Sequence, residues 1–196
     1  MTYERTPARQ ARIHSVLANR QKDLTLVLAN IHDPHNVSAI YRSCDAFGVP
    51  RVHLYYTHTA FPNLGLKSSA SARKWVESVR FSDAAALAAS LRAEGRQILA
   101  TGFGPSARRL MDCDLTRPTA IIFGNEHDGV DEELRTLADA EVYIPMLGMV
   151  QSLNVSVAAA VSLYEAWRQR QAKGMYDAPS YDPEEMAAYL AAWLDK

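Results

Sequence analysis

The chain has 196 residues, 48% hydrophobic and 22% charged, with a formal net charge of −1. That length and balance support one well-buried domain and exclude a disordered or fibrous protein. No apolar run approaches the roughly 18 residues a membrane helix needs, and the start MTYERTPARQARIH lacks the apolar stretch of a signal peptide, so a soluble, cytoplasmic protein is expected. Cys44 and Cys113 form no C-x-x-C pair, and the histidine pair His32 and His35 lacks further assignable ligands, so neither a disulfide scaffold nor a metal site is expected.

Thr6 followed by Pro7 marks a helix start, and Ile13, Val16 and Leu17 give that helix a small apolar stripe. Leu24 to Ala29 is a run of strand length with β-branched members, ending at the polar stretch NIHDPHN. Val37, Ile40, Cys44 and Phe47 then recur at helical spacing, with Asn36 placed as the N-cap and Gly48 as the terminator. Further apolar runs follow at Val52–Tyr56, Trp75–Phe81, Ile98–Thr101, Ala120–Phe123 and Val142–Ile144, with an alanine-rich helix over Asp83–Glu94. A long helical segment begins near Leu153 with Ser152 as its cap, and after the turn-rich GMYDAPSYDP a last helix spans Pro183–Leu194. This alternation predicts an α/β fold with a mainly parallel sheet covered by helices on both faces, whose ligands lie beyond the carboxyl ends of the strands.

Charge is unevenly spread. Arg5, Arg9, Arg12, Arg20 and Lys22 face only Glu4 in residues 1–22, Arg168, Arg170 and Lys173 close the long helix, and residues 177–196 carry acids against Lys196. An acidic tail therefore masks a basic body.

Three polar segments follow strands. Asn30 to Asn36 leads into the helix carrying Arg42, whose fork can grip a phosphate or carboxylate, or pair with Asp45 a turn away. Gly124-Asn125-Glu126-His127-Asp128-Gly129 sets a carboxylate between two turn-permitting glycines, ahead of a helix capped by Asp131. Ile144 through Ala160 runs from a strand through an apolar loop into a helix of small residues. Its amides can bind an adenosine beside an apolar wall of Met146, Leu147 and Leu153. Gly102-Phe103-Gly104-Pro105-Ser106-Ala107 fits the dinucleotide fingerprint only formally, since Arg117-Pro118 arrives too soon for a crossover helix, and the two N-x-S matches at Asn36 and Asn154 are chance without a secretion signal.

Taken together and in this order, Asn36-Val37-Ser38-Ala39-Ile40 with Arg42-Ser43-Cys44-Asp45-Ala46, Gly124-Asn125-Glu126, IPMLGMVQSLNVSVAAAV and the closing YDPEE helix resemble the SpoU/TrmH family of RNA ribose 2′-O-methyltransferases over nearly the whole chain. The resemblance implies a SPOUT-type methyltransferase domain over residues 23–174 with a deep trefoil knot at about 98–170. A basic helical extension at 1–22 and a helical extension at 175–196 flank it. It also implies a homodimer with its active site near the subunit interface. The cofactor is S-adenosylmethionine, lying against Thr101, Gly124, Asn125, Ile144, Pro145, Met146, Leu147, Gly148, Ser152 and Leu153. The catalytic residues carried over are Asn36, Arg42, Glu126, Ser152 and Asn154, and the basic first helix with the detached last helix narrows the implied substrate to guanosine 18 in the D-loop of tRNA. Another tRNA position or ribosomal RNA shares the same motifs, and an RNA-binding module without catalysis is the rival of another class.

A ribose 2′-hydroxyl must lose its proton as it attacks the sulfonium methyl. In the family the arginine matching Arg42 takes that role, oriented by Asn36; a guanidinium of pKa above about 12 acts more readily as a phosphate clamp. Arg9, Arg12, His35, Arg168 and Arg170 are the expected RNA contacts, with the target nucleotide leaving its stack.

Overall fold

Six consecutive buried residues, Leu24–Ala29, form the first strand β1, a pattern that only a strand covered on both faces tolerates. In the computed structural model, which describes residues 6–62 and 72–196, β1 lies inside a seven-stranded sheet; Glu4 and Arg5 of the basic start lie outside the described residues. In chain order the elements are α1 (Pro7–Ala18), β1, α2 (Pro34–Ala46), β2 (Arg51–Tyr55), α3 (Ala72–Trp75), β3 (Glu77–Phe81) and α4 (Ala84–Ala93). There follow β4 (Gln97–Thr101), β5 (Arg108–Arg109), β6 (Thr119–Phe123), α5 (Glu132–Leu137), β7 (Ala140–Tyr143), α6 (Val155–Ala172) and α7 (Pro183–Leu194). The strand order is β3-β2-β1-β6-β4-β7-β5 and every pairing is parallel.

Alternate strand residues feed opposite faces. Leu24, Leu26, Leu28, Ile121 and Phe123 pack under α2 and α6, against Ile40, Cys44, Ala159 and Leu163. Val27, Ala29, Ala120 and Ile122 pack under α4 and α5, against Leu87, Leu91 and Leu134. A third, smaller cluster joins Ile13 and Leu17 of α1 to Met186 and Trp193 of α7, with the Trp75 ring tilted 50° against Trp193 at 4.8 Å between ring centroids. The last helix thus folds back onto the first. Trp75 sits in the short helix α3 because its ring belongs to this cluster, and the strand expected from Trp75 begins only at Glu77.

Two cationic side chains expected at the surface are fully buried. Arg170 donates to the carbonyls of Leu115 (2.9 Å) and Arg117 (3.0 Å), to Gln21 and to the Asp23 carboxylate. The assignment of Arg170 as an RNA contact is therefore corrected: a fully buried guanidinium whose three nitrogens each have a partner inside the fold cannot reach a phosphate. Arg20 behaves similarly, bonding Val49 O at 2.9 Å, pairing with Asp45 and lying 5.2 Å from the Trp193 ring centroid. Both staple the chain ends to the sheet domain.

Two helix caps also differ from expectation. Asp33 caps α2 by accepting from His35 N, with Pro34 in the first turn, which leaves Asn36 inside the helix with its side chain turned inward. Asn154, not Ser152, caps α6, accepting from Ser156 N at 2.9 Å and Val157 N at 3.4 Å. After Gly102-Phe103-Gly104 the chain enters the short strand β5 rather than a helix. A Cβ at Gly102 would lie 1.7 Å from Glu141 Oε1, so those glycines accommodate a carboxylate of β7, not a pyrophosphate.

Candidate active site

The loops that leave the carboxyl ends of β1, β6, β4 and β7 meet at one place, as the parallel topology requires. Between them lies a cavity of about 440 Å³, within the range of small-molecule sites. Its wall includes Thr101, Gly124, Asn125, Ile144, Met146, Ser152 and Leu153, all expected, together with Glu126 and Asn154. Gly102 and Phe103, weighed in the sequence only as a formal dinucleotide match, also line it, as do Tyr143 and Ser162, which had no individual signal. Pro145, Leu147 and Gly148 do not line it; Leu147 is fully exposed, so its expected place in an apolar wall is corrected.

Gly124 is required by close approach. A Cβ there would sit 2.0 Å from Gly129 O and 2.2 Å from Val130 N, because Asn125 and Gly129 exchange backbone hydrogen bonds of 2.9 and 3.0 Å directly beneath it. The narrow neck turns Glu126 toward α2.

There the three motif segments join in a line of hydrogen bonds. Asn36 Nδ2 donates to Glu126 Oε1 at 2.7 Å, and Asn154 Nδ2 donates to Asn36 Oδ1 at 3.0 Å. The amides of His32 (3.2 Å) and Asp33 (3.4 Å) complete the Glu126 carboxylate. Burial alone pushes that carboxyl up, but the bonds from Asn36 and from the amides of Glu126, His32 and Asp33 together outweigh it and hold the group below the usual carboxylate range. Glu126 is therefore an ionised acceptor that fixes Asn36 rather than a proton carrier.

Asn30 is the residue that sequence reasoning missed. It is fully buried at φ +50°, a backbone conformation asparagine tolerates better than most residues. Its side chain accepts from Thr57 N at 3.0 Å and donates to Asp131 at 2.9 Å, while its carbonyl accepts from Asn125 Nδ2 at 2.9 Å. It ties the first loop to the second. An asparagine directly after the apolar run Leu26–Ala29 was the available signal. Asp131, expected as the α5 cap, stands at the cap position but makes no side-chain cap bond, its carboxylate being engaged by Asn30 instead.

Arg42 stands apart. It is exposed on α2, has no hydrogen bond or ion pair among the described residues, and does not line the cavity. The alternative pairing with Asp45 is not realised, because Asp45 is held by Arg20. Ser152 is exposed at the cavity wall. Arg12 and His35 are exposed, and Arg168 is exposed but paired with Glu165 at 2.8 Å. No cluster able to hold a metal ion occurs among the described residues, and no described helix is long and apolar enough to cross a membrane.

Fold and site define a parallel α/β domain with a nucleoside-sized cavity at its strand ends and an amide–carboxylate line beside it. The chain belongs to the SpoU rRNA Methylase family, which matches residues 23–164. It is 48% identical over 193 residues to the tRNA (guanosine(18)-2'-O)-methyltransferase of Thermus thermophilus, covering 98% of this chain and 99% of that protein. The solved TrmH/SpoU tRNA modifying enzyme of Aquifex aeolicus superposes with a TM-score of 0.89 at 38% identity, covering 95% of both chains. The SpoU methyltransferase AviRb of Streptomyces viridochromogenes, solved with its cofactor AdoMet, gives a TM-score of 0.70 at 29% identity over 78% of this chain and 62% of that one.

Proposed function

We propose that this protein transfers a methyl group from S-adenosylmethionine to the ribose 2′-hydroxyl of guanosine 18 in the D-loop of tRNA, acting in the cytoplasm. The observation that carries this reading is the unbroken line Glu126–Asn36–Asn154 along the edge of the 440 Å³ cavity, which unites residues from three distant segments at one reacting centre. The cavity suits the cofactor: glycine-lined on one side at Gly102 and Gly124, apolar at Ile144, Met146 and Leu153, and rich in main-chain groups. Bound there, the cofactor supplies an electrophilic methyl on a sulfonium.

The chain's own residues do the rest. Glu126 holds Asn36 in one orientation, Asn36 and Asn154 present amides to the ribose, and the Ser152 hydroxyl at the wall completes its polar surroundings. Arg42, exposed on α2, grips the adjacent phosphate and favours the alkoxide that develops at the 2′-oxygen. Arg9 and Arg12 on α1, His35 at the start of α2 and Arg168 on α6 contact RNA around the site, so the basic extension at 1–22 and the extension at 175–196 flank the methyltransferase domain.

A homodimer belongs to this reading. Val157 and Val161 lie one turn apart on α6 and are 47% and 40% exposed, an apolar patch that a second copy covers. The second copy completes a site whose Arg42 lies outside the cavity wall of its own chain. The trefoil knot also belongs here: after the 144–154 loop, Gln169 of α6 bonds back to Cys113 O (3.1 Å) and Leu115 N (2.9 Å) in the approach to β6.

The test is methyl transfer from labelled S-adenosylmethionine to an unmodified tRNA transcript, mapped by nucleotide. Label at guanosine 18 is expected. Label confined to another nucleotide or to ribosomal RNA overturns the address, and absence of both transfer and cofactor binding overturns the chemistry in favour of an RNA-binding module.

A further inference from the structure

We propose that a second cavity, between α1, the carboxyl end of α2 and the last turns of α6, receives an unstacked nucleobase of the RNA substrate; this rests on the reading above. At about 710 Å³ it is larger than the cofactor cavity, and it is walled by aromatic rings. Tyr164 and Trp167 lie 5.6 Å apart by ring centroids, and Phe47 meets Tyr164 edge-on at 6.4 Å. Sequence reading gave these rings to a helix and assigned them no role.

Three observations point to a base rather than to a greasy partner. First, the wall is not uniformly apolar: Arg12, Asp45 and Gln171 contribute polar side chains alongside the rings. A nucleobase needs this combination, a π-face to stack on and hydrogen-bonding groups at its edge. Second, the hydroxyl of Tyr176, which lines the cavity, is buried and has no hydrogen-bond partner among the described residues. A buried hydroxyl without a partner is costly, and a base edge at this place satisfies it. Third, the guanidinium of Arg12 is exposed at the rim with no ion pair among the described residues, placed to hold the phosphate attached to such a base. The carboxylate of Asp45 has one oxygen engaged by Arg20, and its other oxygen can accept from base N–H groups, which favours guanine over bases lacking adjacent donors. The cavity would thus hold a nucleotide other than the one methylated and make recognition depend on its being unstacked.

Binding of an unmodified tRNA transcript to the full-length protein, with S-adenosylmethionine present, tests this. Stacking on one ring contributes about 1–3 kcal/mol per base, so Trp167→Leu should weaken tRNA binding about tenfold while leaving cofactor affinity unchanged. The slope of log affinity against log salt should stay at the wild-type value, because a stacked base releases no counterions, whereas Arg12→Ala should reduce it by about one unit. Tyr176→Phe, which preserves the ring and the fold, should weaken binding roughly threefold. If wild-type protein binds and methylates tRNA and both Trp167→Leu and Tyr176→Phe bind it equally well, this site is overturned and the function stands. If wild-type protein neither binds nor methylates tRNA, both fall. Loss of the dimer in Tyr176→Phe, seen by sedimentation, assigns the cavity to a second copy and overturns the nucleobase.

Discussion

Asn154 has two separable jobs, and two substitutions at that one position resolve them. Its Oδ1 caps α6 while its Nδ2 donates to Asn36. Asn154→Ala removes the cap, worth about 1 kcal/mol. It also strips the partner from an Asn36 oxygen in a residue only 8% exposed, worth about 1 kcal/mol more. For a chain of this size, a total near 2 kcal/mol lowers Tm by roughly 4–8 °C. Asn154→Asp keeps the cap and places a negative charge at a helix start, where it is favourable, so Tm should stay near the wild-type value. It cannot donate, however. Asn36 would then lie between two carboxylates, with one amide nitrogen to offer them, and its orientation would no longer be fixed. Misalignment of this order costs about a hundredfold in rate, which should appear in kcat for labelled methyl transfer. Wild-type kcat in Asn154→Asp would refute the role of the line, and an unchanged Tm in Asn154→Ala would refute the cap.

Gly124→Ala should abolish cofactor binding by equilibrium dialysis, because the new Cβ meets Gly129 O at 2.0 Å and the neck cannot close. Arg42→Ala should retain cofactor affinity and lose transfer by roughly a hundredfold, consistent with loss of one charge at a developing alkoxide; unchanged activity removes Arg42 from the mechanism. Arg170→Ala should lower stability to urea by about 3 kcal/mol by leaving buried acceptors and Asp23 without a partner, while the salt slope of tRNA binding stays unchanged. His53 is buried beside Thr25, and burial, with Arg96 adding to it, lowers its pKa to about 4. It folds as the neutral form, so stability should fall as pH drops from about 6.5 toward 4, by up to about 1.4 kcal/mol per unit, and His53→Gln should flatten that slope in urea titrations.

The strands and most helices were legible because each carries a local signal: Leu24–Ala29 is apolar but for Thr25, and Pro183–Leu194 begins at a proline behind Asp182 with Glu185 completing a capping box. The site was legible as a set of segments, but its wiring was not. Whether Asn36 caps its helix or bonds Glu126 depends on Asp33 taking the cap, a competition between two good capping residues three positions apart. The fate of Arg170 turns on Asp23 and the carbonyls of Leu115 and Arg117, contacts that exist only once α6 has crossed back over the segment before β6. Local charge counting treats such an arginine as solvated. Asn30 was hidden for a similar reason, since its partners Thr57, Asn125 and Asp131 come from two other loops.

The division of labour at the site follows from where each charge can be satisfied. Glu126 is surrounded by donors from α2 and the preceding loop, so it is stable as an anion and has little tendency to take a proton. Arg42 is exposed, and a guanidinium is a hydrogen-bond donor with no acceptor to offer a proton. Neither is suited to act as a free-standing base. What they offer instead is orientation and charge: Glu126 fixes Asn36, and Arg42, outside the cavity wall of its own chain, supplies a cation for a phosphate. The 2′-hydroxyl passes its proton to solvent water as negative charge develops on its oxygen, and the Arg42 cation favours that charge. It follows that activity should be lost on neutralising Arg42 yet largely retained in Arg42→Lys only where a point charge suffices; a large loss in Arg42→Lys with tRNA affinity intact would show that the bidentate fork itself sets the alignment.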